Sequence, residues 1–101
     1  PIPQGQSTSD NRIKDLILGY FLAEDYNKVV ELSFDIRLID TRSLSLILYS
    51  RSKLNQDIKA SVEYKSLTSE FKNTDWEQTV DRFHIQDEQI QKDLISFMCS
   101  I

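Results

Sequence analysis

Residues 29–67 read VVELSFDIRLID TRSLSLILYS RSKLNQDIKA SVEYKSL. Leu32, Phe34, Ile36 and Leu38 alternate with Glu31, Ser33, Asp35 and Arg37, so an extended chain puts every apolar side chain on one face. A period of two is the pattern of a strand with one face buried and the other in water. Asp40-Thr41-Arg42-Ser43 breaks the run, Leu44 to Tyr49 forms a second apolar run, and Arg51 to Asp57 forms a second polar break. Alternation returns with Ile58, Ala60, Val62 and Tyr64 against Lys59, Ser61, Glu63 and Lys65. The pattern predicts three antiparallel strands in a meander, because strands that follow one another in sequence usually lie side by side.

The middle strand is apolar on both faces. Leu44, Leu46 and Leu48 join the core set that includes Phe34 and Val62, while Ile47 and Tyr49 point the other way. On the outward face of such a sheet, Ile47 and Tyr49 are ringed by Glu31, Asp35 and Arg37 on one side and by Lys59, Glu63 and Lys65 on the other. An apolar centre inside a charged rim is the make-up of an interaction patch. These eight residues are the expected interaction site. The competing reading is that a helix of this same chain covers Ile47 and Tyr49.

Helices are expected on both sides of the sheet. Ile13, Leu16, Ile17, Tyr20 and Phe21 follow helical spacing between Asp10 and Tyr26, with Ser9 or Asp10 as the cap. Gly19 sits within that stretch, where it lowers helix stability and leaves room for a neighbouring element. Thr74-Asp75-Trp76-Glu77 has the form of a capping box, and Trp76, Val80 and Phe83 share one face of the helix it starts, with Trp76 read as a core anchor. After a break at His84-Ile85-Gln86, Ile90, Leu94, Phe97, Met98 and Ile101 make the apolar stripe of a last helix, with Asp87 and Glu88 at its start. The expected fold is α+β: an N-terminal helix, a three-stranded antiparallel β-meander, and two C-terminal helices packed on one face of the sheet. Residues 1–9 read as a flexible arm or linker end, and residues 10–101 as one domain.

Composition narrows the partners. Twelve basic residues are scattered among sixteen acidic ones, for a net charge of −4. Binding to nucleic acid or an anionic membrane calls for clustered Lys and Arg, so neither is an expected partner. Cys99 is the one cysteine, which rules out an internal disulfide, and no Asn-x-Ser/Thr sequon is present. Both features suit an intracellular setting. A chain starting at Pro1 reads as a piece of a longer polypeptide.

Catalytic chemistry finds little to work with. His84 is the one histidine, with Asp81 or Asp87 as the acid nearest in sequence, but no nucleophile or glycine-rich anion loop accompanies it. Cys99 lies near a helix C-terminus without an adjacent cation, the wrong place for a reactive thiol, and reads as a buried spectator. One His and one Cys do not make a zinc site, and Asp87, Glu88 and Asp93 lack calcium-loop spacing. No cofactor and no enzymatic activity are expected. The expected function is a non-catalytic protein–protein interaction or oligomerisation domain of a larger protein, binding another protein or a second copy of itself. The alternative is a small acidic adaptor or chaperone-like domain that takes a partner peptide at a sheet edge.

Overall fold

Asp25, Asp40, Asp57, Ser61, Asp75 and Asp87 each turn a side-chain oxygen onto a backbone N–H two or three residues ahead, and each starts a helix. A short polar side chain in that position satisfies one of the amide donors that the first helical turn leaves free. In the computed structural model of the chain, which describes residues 2–101 with side chains from Asp10 onward, the result is all-helical. The order is α1 (Ile2–Leu22), α2 (Tyr26–Ser33), α3 (Thr41–Lys53), a 3-10 turn (Ile58–Ala60), α4 (Val62–Ser69), α5 (Trp76–Asp81) and α6 (Glu88–Ser100). Pro1, the first residue of the expected arm, lies outside the described residues.

The expected α+β fold is overturned: no strand occurs among the described residues, and the three-stranded meander does not exist. The first alternating run is split between the end of α2 and a connector over residues 34–39. Asp40-Thr41-Arg42-Ser43, read as a break between strands, is the cap and first turn of α3, with Asp40 Oδ1 accepting the Ser43 N–H at 2.8 Å. The third run is divided between the 3-10 turn and α4.

The reason lies in α3. Leu44, Leu46, Ile47 and Leu48 are all fully buried, and so are Ser43, Ser45 and Ser50. A helix enclosed around its whole girth shows no apolar stripe, so the helical period disappears from its sequence. The serines are small enough to be enclosed along with the apolar residues, and Ser45 stands between Leu44 and Leu46. The result is a short run apolar on both faces, which imitates a central strand. Ser45 satisfies its hydroxyl within the helix by donating to the Arg42 carbonyl at 2.9 Å.

α3 is the axle of the molecule, in contact with all five other helices. On one flank Leu46 and Ile47 pack with Ile17 and Phe21 of α1, Val29 of α2, Val80 of α5 and Leu94 of α6. On the other, Leu44 and Leu48 pack with Leu67 of α4, Trp76 of α5 and Met98 of α6. The helix expected at Thr74 begins one residue later, because Asp75 rather than Thr74 accepts the capping N–H, from Gln78.

The chain turns without glycine. α1 ends with Glu24 at φ 62°, and α3 ends with Asn55 at φ 59°. In both cases the next N–H reaches back five residues, Asp25 to the Tyr20 carbonyl and Gln56 to the Arg51 carbonyl, both at 2.9 Å. This is the Schellman closure, which normally uses glycine at the left-handed position. Asp25 then doubles as the cap of α2, so α1 and α2 meet in a tight corner.

Candidate functional site

The connector between α2 and α3 is held down by α1. The Asp10 carboxylate accepts the backbone N–H groups of Arg37 and Leu38, at 3.1 and 3.3 Å. Asp10, expected to cap a helix start, lies within α1 instead and serves another segment. Lys14 Nζ bridges Asp10 and Asp40 at 3.8 and 3.6 Å, and Arg42 meets Asp15 at 3.2 Å. With its backbone fixed this way, the connector packs Ile36 and Ile39 against the core and leaves Phe34 and Leu38 outside. Phe34 is left 77% exposed and Leu38 75% exposed.

Across from the connector stands α4, whose Val62 is 71% exposed. Between them runs a groove of about 360 Å³, walled by Phe34, Arg37 and Leu38 on one side and by Val62, Ser66 and Glu70 on the other. Its floor is an ion pair. Arg51 Nε donates to Glu63 Oε1 at 2.8 Å, with the two side chains only 14% and 9% exposed. Arg51 also donates to Gln56 Oε1 at 3.0 Å and sets its guanidinium 5.9 Å from the centre of the Phe34 ring, over its face. The groove is therefore apolar at its lips and internally neutralised at its base.

The eight residues expected to form a patch do not share one surface. Ile47 is fully buried against α1, α5 and α6, and Tyr49 is half-buried in an aromatic cluster with Phe21, Tyr26 and Phe97. The face they were to centre is absent along with the sheet. Arg37 and Glu63 both line the groove. Glu31, Asp35, Lys59 and Lys65 are exposed but are not among the groove's walls. Phe34 and Val62, assigned to the core side of the sheet, are at the surface, so the inside–outside assignment is reversed at these positions.

Phe34, Leu38, Val62, Arg51, Ser66 and Glu70 are the site residues that sequence reasoning did not single out. One signal pointed to the connector: Asp25 and Asp40 are both helix caps, and the short helix after Asp25 ends well before Asp40. Marking both caps leaves residues 34–39 as a loop carrying Phe34 and Leu38.

Other candidates offer less. His84 is exposed, at φ 60° just beyond α5, and Cys99 is exposed rather than buried. Among the described residues no group of three His, Cys, Asp or Glu side chains comes together to hold a metal. A larger hollow of about 650 Å³ lies along Asn11, Leu16, Gly19, Tyr20 and Ala23, but it has a single wall, the outer face of α1 and its end. Within the aromatic cluster, burial pushes the Tyr26 hydroxyl above its ordinary value of 10.0, and the neighbouring Tyr49 and Glu24 add to the shift.

No helix among the described residues is long and apolar enough to cross a membrane. No family model, curated protein or solved structure matches the chain.

Proposed function

We propose that this domain is a non-catalytic protein–protein interaction module of an intracellular protein, and that the groove between the 34–39 connector and α4 is where it docks a protein partner. One observation carries the reading. Phe34, Leu38 and Val62, each more than two-thirds exposed, converge on the same groove. Single exposed apolar residues are ordinary, whereas a cluster with charged neighbours is the mark of a contact surface.

The way the groove is built supports the same conclusion. Asp10 fixes the connector that carries two of the three apolar residues. Arg51 and Glu63 fix the base. A contact surface held in place before binding loses less conformational entropy on association. Docking by strand addition has no template here, since no strand is present among the described residues. The intracellular setting draws its support from the single cysteine, which stands exposed as a free thiol.

The test is a comparison of proteins captured by the wild-type domain with those captured by Leu38→Ser and by Val62→Ser. Both variants are expected to keep the helical circular dichroism and melting temperature of the parent while losing the same captured species. Retention of every species by both variants would remove the groove from the function.

A further inference from the structure

The geometry points to one kind of occupant for this groove: a single amphipathic helix of a partner protein, with a short apolar stripe, an acidic residue placed to meet Arg37 and a basic residue placed to meet Glu70. The inference rests on the interaction function proposed above and specifies the partner.

The first ground is backbone chemistry. Each groove wall is a helix or a fixed connector, and the two connector amides nearest Leu38 are already given to Asp10. An extended segment entering the groove would bring unpaired N–H and C=O groups to apolar lips that offer them no ladder. A helix satisfies its own backbone and presents only side chains.

The second ground is size. Phe34, Leu38 and Val62 together expose on the order of 400 Å² of largely apolar surface, enough to cover the apolar stripe of one short helix. The α4 wall from Val62 to Glu70 runs about 12 Å at 1.5 Å per residue, or roughly two helical turns. Val62, Ser66 and Glu70 recur at intervals of four along it, the spacing into which i, i+4, i+7 anchors of an incoming helix settle.

The third ground is charge. Arg51 and Glu63 neutralise each other at the floor, while Arg37 and Glu70 are exposed and neither takes part in an ion pair among the described residues. Two walls carrying opposite unpaired charges select a ligand that carries both signs, and they fix its direction along the groove.

The experiment uses two displayed peptide libraries of roughly 14 residues, about four helical turns. One is templated as a helix with apolar residues fixed at i, i+4 and i+7 and all other positions random. The other has the same anchors but is interrupted by proline. Both are selected on the whole chain. Helical clones that carry an acid and a base on opposite flanks of the apolar stripe are expected to enrich. Their affinity is expected to fall roughly tenfold with Leu38→Ser, the loss of one buried apolar side chain. Val62→Ser serves as the second variant should Leu38→Ser melt early. The double variant Arg37→Glu/Glu70→Lys is expected to enrich clones with the two flanks exchanged. Enrichment of proline-interrupted clones that still depend on Leu38 overturns the helical occupant and leaves the interaction function standing. Absence of any clone that depends on Leu38 or Val62 overturns both. Sedimentation of the chain alone as a dimer that dissociates on Leu38→Ser assigns the groove to a second copy and overturns the partner helix.

Discussion

Glu63 accepts a hydrogen bond from Arg51 at 2.8 Å, tying the first turn of α4 to the end of α3 directly beneath the Phe34 ring. Both charges are largely shielded from water, so each depends on the other. Removing one partner of such a pair strands the other, at a cost of about 3 kcal/mol. Glu63→Ala and Arg51→Met are each expected to destabilise the domain by that order, read from chemical denaturation midpoints. Arg51→Met/Glu63→Leu leaves no charge stranded and is expected to recover most of the loss. Additive losses in the double variant would show that the two side chains act independently.

Gly19 was expected to admit a close neighbour, and nothing lies within 4 Å of the place a Cβ would occupy there. The glycine therefore weakens α1 without a packing return. Gly19→Ala is expected to raise stability by about 1 kcal/mol. Glu24 presents the opposite case five residues on, a residue with a Cβ held at φ 62°. Glu24→Gly is expected to add up to about 1 kcal/mol by relieving the left-handed strain, less glycine's own entropy. Thermal melts of the two variants check both, and a fall in either midpoint contradicts the geometry at that position.

The helices near the two ends were legible as helices because they lie on the surface of the core, although α1 starts at Ile2 rather than near Asp10. Ile13, Ile17 and Phe21 in α1, and Ile90, Leu94 and Met98 in α6, are spaced four apart and pack inward. The middle was not legible, for two physical reasons. α3 is buried on every side, which erases its period and leaves a short run that reads as a central strand. The 34–39 connector contains neither glycine nor proline, the residues that punctuate most loops. Its alternation of Phe34, Ile36 and Leu38 with Asp35 and Arg37 could pass for a strand. Of the groove, Arg37 and Glu63 could be picked out by charge. Phe34, Leu38 and Val62 could not, because apolar residues read as core until the fold shows them outside.

That reversal can be measured at two positions. Ile47 is fully buried in the larger cluster, so Ile47→Ala is expected to cost about 2–5 kcal/mol through lost contacts and a residual cavity. Leu38 is 75% exposed, so Leu38→Ser is expected to shift stability by about 0.5 kcal/mol or less. Strand alternation implies the opposite ranking, with Leu38 in the core and Ile47 outside. Denaturation midpoints for this pair of variants separate the two folds without a further structure.

Tyr26 links the core to pH. Its ring meets Phe21 at 6.0 Å and Tyr49 at 6.2 Å, and burial is the main reason its hydroxyl holds its proton above the ordinary value of 10.0. In the unfolded chain the same group ionises at its ordinary value. Between the two, the folded state binds more protons than the unfolded one, so stability falls as pH rises. The contribution is fully present below pH 10.0 and is lost as pH climbs through the raised value. Tyr26→Phe removes the ionisable group and keeps the ring, so its stability is expected to decline less steeply than the parent's between about pH 9 and pH 11. Denaturation midpoints taken across that range decide the matter. Parallel curves would mean that the Tyr26 hydroxyl is as well solvated in the fold as outside it.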